Sequence, residues 1–78
     1  MASSFSRQLK FALALVDSFA RLTAEALLSG NYDYAKHLAG VYAKAQKFRA
    51  SSVWYEWKCS SYEIFVKNFY KWCEKEGA

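Results

Sequence analysis

Two cysteines and one histidine are the side chains best suited to nucleophilic, redox or metal chemistry in this sequence. Cys59 and Cys73 fall in one predicted helix, where a separation of fourteen residues corresponds to about 21 Å along the axis. A disulfide needs Cα atoms within about 7 Å, so we predict that these thiols are not bonded to each other. They are either reduced, buried thiols of a cytoplasmic protein or cysteines that each bond another chain. We favour the first alternative, because free cysteine is commonly buried.

The remaining polar residues give no support for metal binding or acid–base catalysis. His37 has no cysteine or carboxylate at a spacing typical of a metal site. Glu63, Glu74 and Glu76 lie close to lysines in sequence, which does not suggest an acid–base pair. The sequence has no glycine-rich phosphate loop and no nucleophile motif. We therefore predict that the protein is not an enzyme and carries no cofactor.

Positive charge is concentrated in the middle of the chain. The formal net charge is +4, and Glu56 is the one acid in the stretch after Asp33 that runs to Lys58. A basic strip of this kind could contact phosphates, with binding that weakens as salt is raised. Nucleic acid is thus an alternative partner, although helix-turn-helix spacing, a zinc signature and an arginine-rich arm are all missing. The candidate anion or nucleic-acid contacts are Lys36, Lys44, Lys47 and Arg49.

The composition indicates a small all-α protein. The chain has no proline, three glycines and 54% hydrophobic residues, which favours long helices and opposes disorder. With 78 residues, one helical domain covering 1–78 is the most the chain can form. The apolar run from Phe11 to Val16 is short, and Asp17 and Arg21 interrupt it. We therefore predict no membrane span.

The apolar periodicity predicts three helices at about 4–28, 32–50 and 53–76. Ser29-Gly30-Asn31 offers a glycine that ends one helix and an asparagine that caps the next. Ser51-Ser52 offers a second stop and restart. The predicted fold is a small antiparallel bundle of three helices, arranged up, down and up. In the alternative, helices two and three form one long rod in a helical hairpin.

Most of the aromatic residues near the C-terminus fit one face of the third predicted helix. Phe65, Phe69 and Trp72 share an arc at helical spacing, which is more typical of a core than of a binding surface. Apolar residues outside such arcs are candidates for a protein interface. They are Trp57 and Ile64 on a second stripe of the third helix, and Phe11, Leu15 and Leu22 on a broad apolar face of the first.

Small residues form a ridge on the second predicted helix. Ala35, Ala39 and Ala43 recur at four-residue steps beside Gly40. Small side chains let another helix approach closely. The ridge indicates either tight packing against the first helix or a seam for another subunit.

These patterns together predict a small, non-enzymatic helical module for protein–protein interaction or self-assembly, most simply a homo-oligomer. Large aromatic residues dominate interface energetics, so Trp57 and Ile64 are the predicted anchors. One alternative is a small basic protein that binds nucleic acid through the lysine-rich face of the second helix. Another is a structural subunit of a virion or filament.

Overall fold

The computed structural model describes residues 4–77, and the regular elements in that range are all helical. In chain order they are α1 (Ser4–Leu28), α2 (Tyr32–Ser51), a 3-10 turn (Val53–Glu56) and α3 (Tyr62–Gly77). The predicted all-α bundle of three helices is confirmed. The long-rod alternative is wrong, because α2 and α3 are separate helices.

Backbone hydrogen bonds fix the turn between α1 and α2. Gly30 has a φ of 79°, and its N–H donates to the carbonyl of Leu27 at 3.1 Å. The N–H of Asn31 donates to the carbonyl of Ala26 at 2.9 Å, which completes a Schellman motif. Asn31 then caps α2, since its side-chain oxygen accepts a hydrogen bond from the N–H of Tyr34. This turn makes α1 and α2 an antiparallel hairpin, as predicted.

The third helix begins at Tyr62, so the predicted start at position 53 is wrong. Ser52 has a left-handed backbone, with a φ of 64°, and this conformation ends α2. The following β-branched and aromatic residues are only fair helix formers, and they make one short 3-10 turn. Ser61 then caps α3, because its hydroxyl accepts a hydrogen bond from the N–H of Ile64 at 3.3 Å.

The connecting segment, residues 52–61, is tied to the start of α1. The hydroxyl of Ser4 donates to the carbonyl of Trp57 at 3.2 Å. The side-chain amide of Gln8 donates to the carbonyl of Cys59 at 3.1 Å, and both of these residues are buried. These bonds satisfy carbonyl groups that no helix satisfies, so the segment is held as an ordered part of the bundle.

The core is centred on Phe48 of α2, which is 0% exposed. Its ring centroid lies 5.2 Å from those of Trp57, Phe69 and Trp72. The ring of Phe65 is 5.8 Å away. Such offset and edge contacts between rings add to the stabilisation from buried area. The predicted assignment of the third helix's aromatic arc to the core is correct.

Ring contacts set the direction of α3. Phe11 of α1 lies 5.7 Å from Tyr62 and 5.6 Å from Phe65. Farther along α1, Phe19 lies 6.2 Å from Phe69. Both helices therefore advance in the same general direction, and the bundle runs up, down and up as predicted. These contacts place α3 on one side of the hairpin.

Candidate interaction surfaces

The helix α1 carries two apolar seams side by side. Each seam advances by alternating steps of four and three residues, a spacing that keeps side chains on one helix face. The core seam is buried at every position except Leu22, which is 40% exposed. Its members are Gln8, Ala12, Leu15, Phe19, Leu22 and Ala26.

The second seam is displaced from the core seam by one residue, or about 100° around the helix. Two of its members, Leu13 and Leu27, are 45% and 51% exposed, and the others are partly buried. The hydroxyl of Thr23 is satisfied within the helix, because it donates to the carbonyl of Phe19 at 2.7 Å. No member carries a charge. The second seam consists of Leu9, Leu13, Val16, Ala20, Thr23 and Leu27.

The second seam faces away from α3. Phe11 contacts α3, whereas Leu13 and Leu27 lie about 160° from Phe11 around α1. On α2, Phe48 contacts α3, and the partly buried Tyr42 lies about 120° from Phe48 around the helix, away from that contact. The back face of the hairpin is thus defined as the second seam together with Tyr42 and Ala39.

No protein-family model, curated protein or solved structure matches this chain. Residues 4–77 contain no helix long and apolar enough to cross a membrane and no cluster of side chains placed to hold a metal ion. His37 is exposed and its ring stacks on that of Tyr34, with 6.4 Å between centroids.

The predicted interface residues of α1 do not form one surface. Leu15 is 1% exposed and belongs to the core. Phe11 is partly buried, and its ring packs against those of Tyr62 and Phe65. Leu22 remains exposed, at the end of the hairpin near the turn. Two of these three predicted contacts are therefore used inside the monomer.

The predicted second stripe of the third helix is wrong, because Trp57 and Ile64 are not on the same helix. Trp57 has an extended backbone, and its ring lies 5.2 Å from Phe48 and 5.3 Å from Phe65. Ile64 is in the first turn of α3 and is 43% exposed. Trp57 is therefore an edge residue of the monomer core, and it does not pair with Ile64 as an interface anchor.

The four predicted anion contacts are all exposed, but they do not share one face. Lys36 and Lys47 lie on the outer side of α2, and Lys44 is nearby. Arg49 is two residues beyond Lys47 and therefore projects about 160° away from it. Lys47 also pairs loosely with Glu76 of α3, with 3.9 Å between Nζ and Oε2. The basic strip is thus reduced to the three lysines.

Cys59 and Cys73 are not bonded to each other, in agreement with the prediction. Cys59 is buried in the connecting segment, and its sulfur accepts a hydrogen bond from the side-chain amide of Asn68 at 3.3 Å. Burial raises the pKa of the Cys73 thiol, and the nearby Lys44 partly opposes this effect. Cys73 is therefore protonated at neutral pH, which makes it a poor nucleophile. Burial also raises the pKa of the Tyr70 phenol.

The alanine ridge of α2 is largely unused within the monomer. Ala35 is 2% exposed, whereas Ala39, Gly40 and Ala43 are exposed. A Cβ atom added to Gly40 would meet no atom within 4 Å. Close packing of α1 on α2 therefore does not require a glycine at this position.

Gly40→Ala is expected to raise the free energy of unfolding by about 0.5–1 kcal/mol. Alanine loses less backbone entropy than glycine in a helix interior, and the added methyl group has open space. Urea unfolding followed by circular dichroism measures the change. The reciprocal variant Ala43→Gly, at an exposed position of the same helix, should lower stability by a similar amount. A loss of stability in Gly40→Ala would show that another chain approaches this backbone.

Sequence reasoning missed Leu13 and Leu27, the most exposed members of the second seam. Their signal is present in the sequence, because the steps from Leu9 to Leu27 follow the same pattern as those of the core seam. Two adjacent seams can be recognised from spacing alone. Which of them α3 covers depends on the position of α3, and spacing does not give that position.

Proposed function

We propose that this protein is a non-enzymatic, self-associating helical module in which two copies pair through the back face of the α1–α2 hairpin. The observation that carries the proposal is the second seam, which is uncharged, apolar except for Thr23, about half exposed at Leu13 and Leu27, and partly buried at its other positions. Apolar stripes of this length on soluble proteins commonly mark interaction sites. Burial of the second seam against another chain would remove it from water.

The spacing of the second seam suits a second copy of the same chain. Its steps of 4, 3, 4, 3 and 4 residues read the same from both ends. In an antiparallel pair with twofold symmetry, Leu9 meets Leu27, Leu13 meets Thr23 and Val16 meets Ala20. A twofold interface must be self-complementary, and this pattern satisfies that requirement.

Charge and area are also compatible with a twofold pair. Asp17 flanks the centre of the second seam, and Arg21 neutralises it within the same chain at 2.9 Å. No net charge is therefore brought to the twofold axis. The second seam spans about 27 Å from Leu9 to Leu27. Each partner contributes ~800 Å² to a standard interface, so the proposed pairing would also use the neighbouring edge of α2.

Leu13→Glu is expected to weaken self-association at least thirtyfold, because each copy would bury a carboxylate in the interface, opposite Thr23 of the other copy. The loss of a hot-spot side chain costs about 2 kcal/mol or more of binding free energy. Sedimentation equilibrium over a range of protein concentrations measures the change. Leu28→Glu is the matched control, since Leu28 is 88% exposed and lies outside the second seam.

Three results would contradict this proposal. A wild-type chain that is still monomeric at millimolar concentration associates too weakly for the proposed role. Equal weakening by Leu13→Glu and Leu28→Glu would indicate nonspecific association. A mass that keeps growing with concentration would favour the filament or virion subunit, because an open, head-to-tail interface does not stop at two copies.

Nucleic-acid binding through α2 is the second candidate. It is supported by Lys36 and Lys44, which are exposed and make no ion pair within residues 4–77. The small side chains of Ala39, Gly40 and Ala43 between these lysines leave room for a phosphate backbone. The test is retardation of DNA or RNA at low salt, with loss in a Lys36→Gln/Lys44→Gln variant. If that variant still binds nucleic acid, this face of α2 is not the binding site.

A further inference from the structure

We propose that a pocket between the connecting segment and α3 binds a small, planar aromatic anion. The pocket lies on the α3 side of the molecule and is separate from the back face. It has a volume of about 320 Å³. Ligand pockets typically begin at about 300 Å³, so this one suits a molecule of one or two fused rings. It is lined by Val53, Trp57, Asn68, Lys71, Trp72 and Lys75.

Two indole rings form the apolar part of the pocket. Trp57 and Trp72 each pack one side against Phe48, with centroids 5.2 Å from its ring. Phe48 is fully buried, so it holds both indoles in place. Rings that are fixed in advance bind a planar ligand with little loss of side-chain entropy. This geometry favours stacking of an aromatic group over binding of a flexible chain.

The two lysines and the two indole N–H groups of the pocket are donors without partners in the part of the chain that the structure describes, whereas the remaining polar side chain in its lining, Asn68, donates its amide nitrogen to the sulfur of Cys59. The indole N–H of Trp54 donates to the carbonyl of Arg49, but those of Trp57 and Trp72 make no hydrogen bond within residues 4–77. Lys71 and Lys75 make no ion pair in the same range. No carboxylate is among the lining residues.

These groups define the chemical class of the ligand. Two ammonium groups and two N–H donors are complementary to an anionic acceptor such as a carboxylate, sulfonate or phosphate. They also select against cations. The indoles supply stacking area for the ring that carries the acid group. A neutral aromatic molecule of the same shape would keep the stacking but lose the charge interaction.

The test uses naphthalene-2-sulfonate as the probe and the neutral naphthalene-2-sulfonamide as its matched control. The chain has three tryptophans, so its indole N–H signals can be followed separately in ¹H–¹⁵N spectra of the full chain. The sulfonate is expected to shift the Trp57 and Trp72 signals to saturation. The buried Trp54 signal should move little. The sulfonamide should bind at least tenfold more weakly.

Variants on α3 distinguish the site from general attraction to a basic protein. Lys71→Gln/Lys75→Gln is expected to weaken sulfonate binding at least tenfold. Lys36→Gln/Lys67→Gln removes the same net charge at exposed positions outside the pocket, and binding should be retained. Three results would overturn the proposal. They are equal affinity for the sulfonate and the sulfonamide, undiminished sulfonate binding by Lys71→Gln/Lys75→Gln, and signal shifts that never saturate.

Discussion

Replacing Phe48 with alanine is expected to unfold the chain at room temperature. Phe48 is 0% exposed and contacts the rings of Trp57, Phe65, Phe69 and Trp72. Truncation of a buried phenylalanine costs about 3–5 kcal/mol. A core of this size rarely supplies more than about 3–5 kcal/mol of net stability. The cost of the substitution is therefore comparable to the entire free energy of unfolding. Circular dichroism at several protein concentrations would record the loss of helix.

Two further variants make this expectation quantitative. Phe48→Leu retains part of the volume and should leave a folded protein with a lowered urea midpoint. Tyr32→Ala removes an aromatic ring that is 68% exposed, and it should change stability by no more than about 0.5 kcal/mol. Native helicity and an unchanged midpoint in Phe48→Ala would mean that the aromatic cluster does not hold the bundle together.

Gln8→Glu is the second substitution with a large expected effect, and that effect depends on pH. Gln8 is 0% exposed, its amide nitrogen donates to the carbonyl of Cys59, and its amide oxygen has no hydrogen-bond partner. A glutamate has nearly the same shape, but burial without a compensating cation raises its pKa well above the usual value of about 4.3. When protonated, its hydroxyl can replace the lost donor to Cys59.

The direction of the pH effect follows from the raised pKa in the folded state. The variant should be close to wild-type stability below about pH 4, where the carboxyl is protonated in both states. It should lose stability as pH rises toward the folded-state pKa, by about 3–4 kcal/mol at pH 7. Urea unfolding at a series of pH values measures this loss.

The exposed Gln46 supplies the control, because it is the other glutamine in the chain. Gln46→Glu makes the same chemical change on the surface of α2, and it should show no comparable dependence on pH. If the free energy of unfolding of Gln8→Glu does not change with pH, water or a cation reaches this site. The buried position assigned to Gln8 would then be wrong.

Much of the fold could be predicted from the sequence because its signals are local. The α1–α2 hairpin follows from apolar periodicity and from the Ser29-Gly30-Asn31 turn, both of which involve neighbours in the chain. The start of α3 was misplaced because residues 53–61 continue an apolar pattern that resembles a helix. Two of their backbone carbonyls, those of Trp57 and Cys59, instead accept hydrogen bonds from Ser4 and Gln8, which are distant in sequence. The pair Ser60-Ser61 was the local signal for the restart.

The candidate surfaces were harder to predict, since exposure depends on how helices dock. Phe11 and Leu13 are two residues apart and equally apolar, yet Phe11 packs on α3 and Leu13 faces outward. Nothing in the local pattern of α1 decides which side α3 covers. The pocket beside Trp57 and Trp72 was missed for a related reason, because it forms only where the non-helical segment lies against α3.

The hydrogen bonds from Ser4 and Gln8 have a consequence for how the chain is synthesised. They join residues 53 and 51 positions apart, whereas the α1–α2 hairpin closes through a turn of a few residues. Short loops close before long ones, so the hairpin can form first. Once the hairpin is complete at Ser51, the ribosome still has to add the 26 residues up to Gly77, which takes roughly 1–5 s at about 5–20 residues per second. During that interval Phe11, Phe19 and Phe48 have no α3 to cover them, and the nascent hairpin presents an aromatic surface to chaperones.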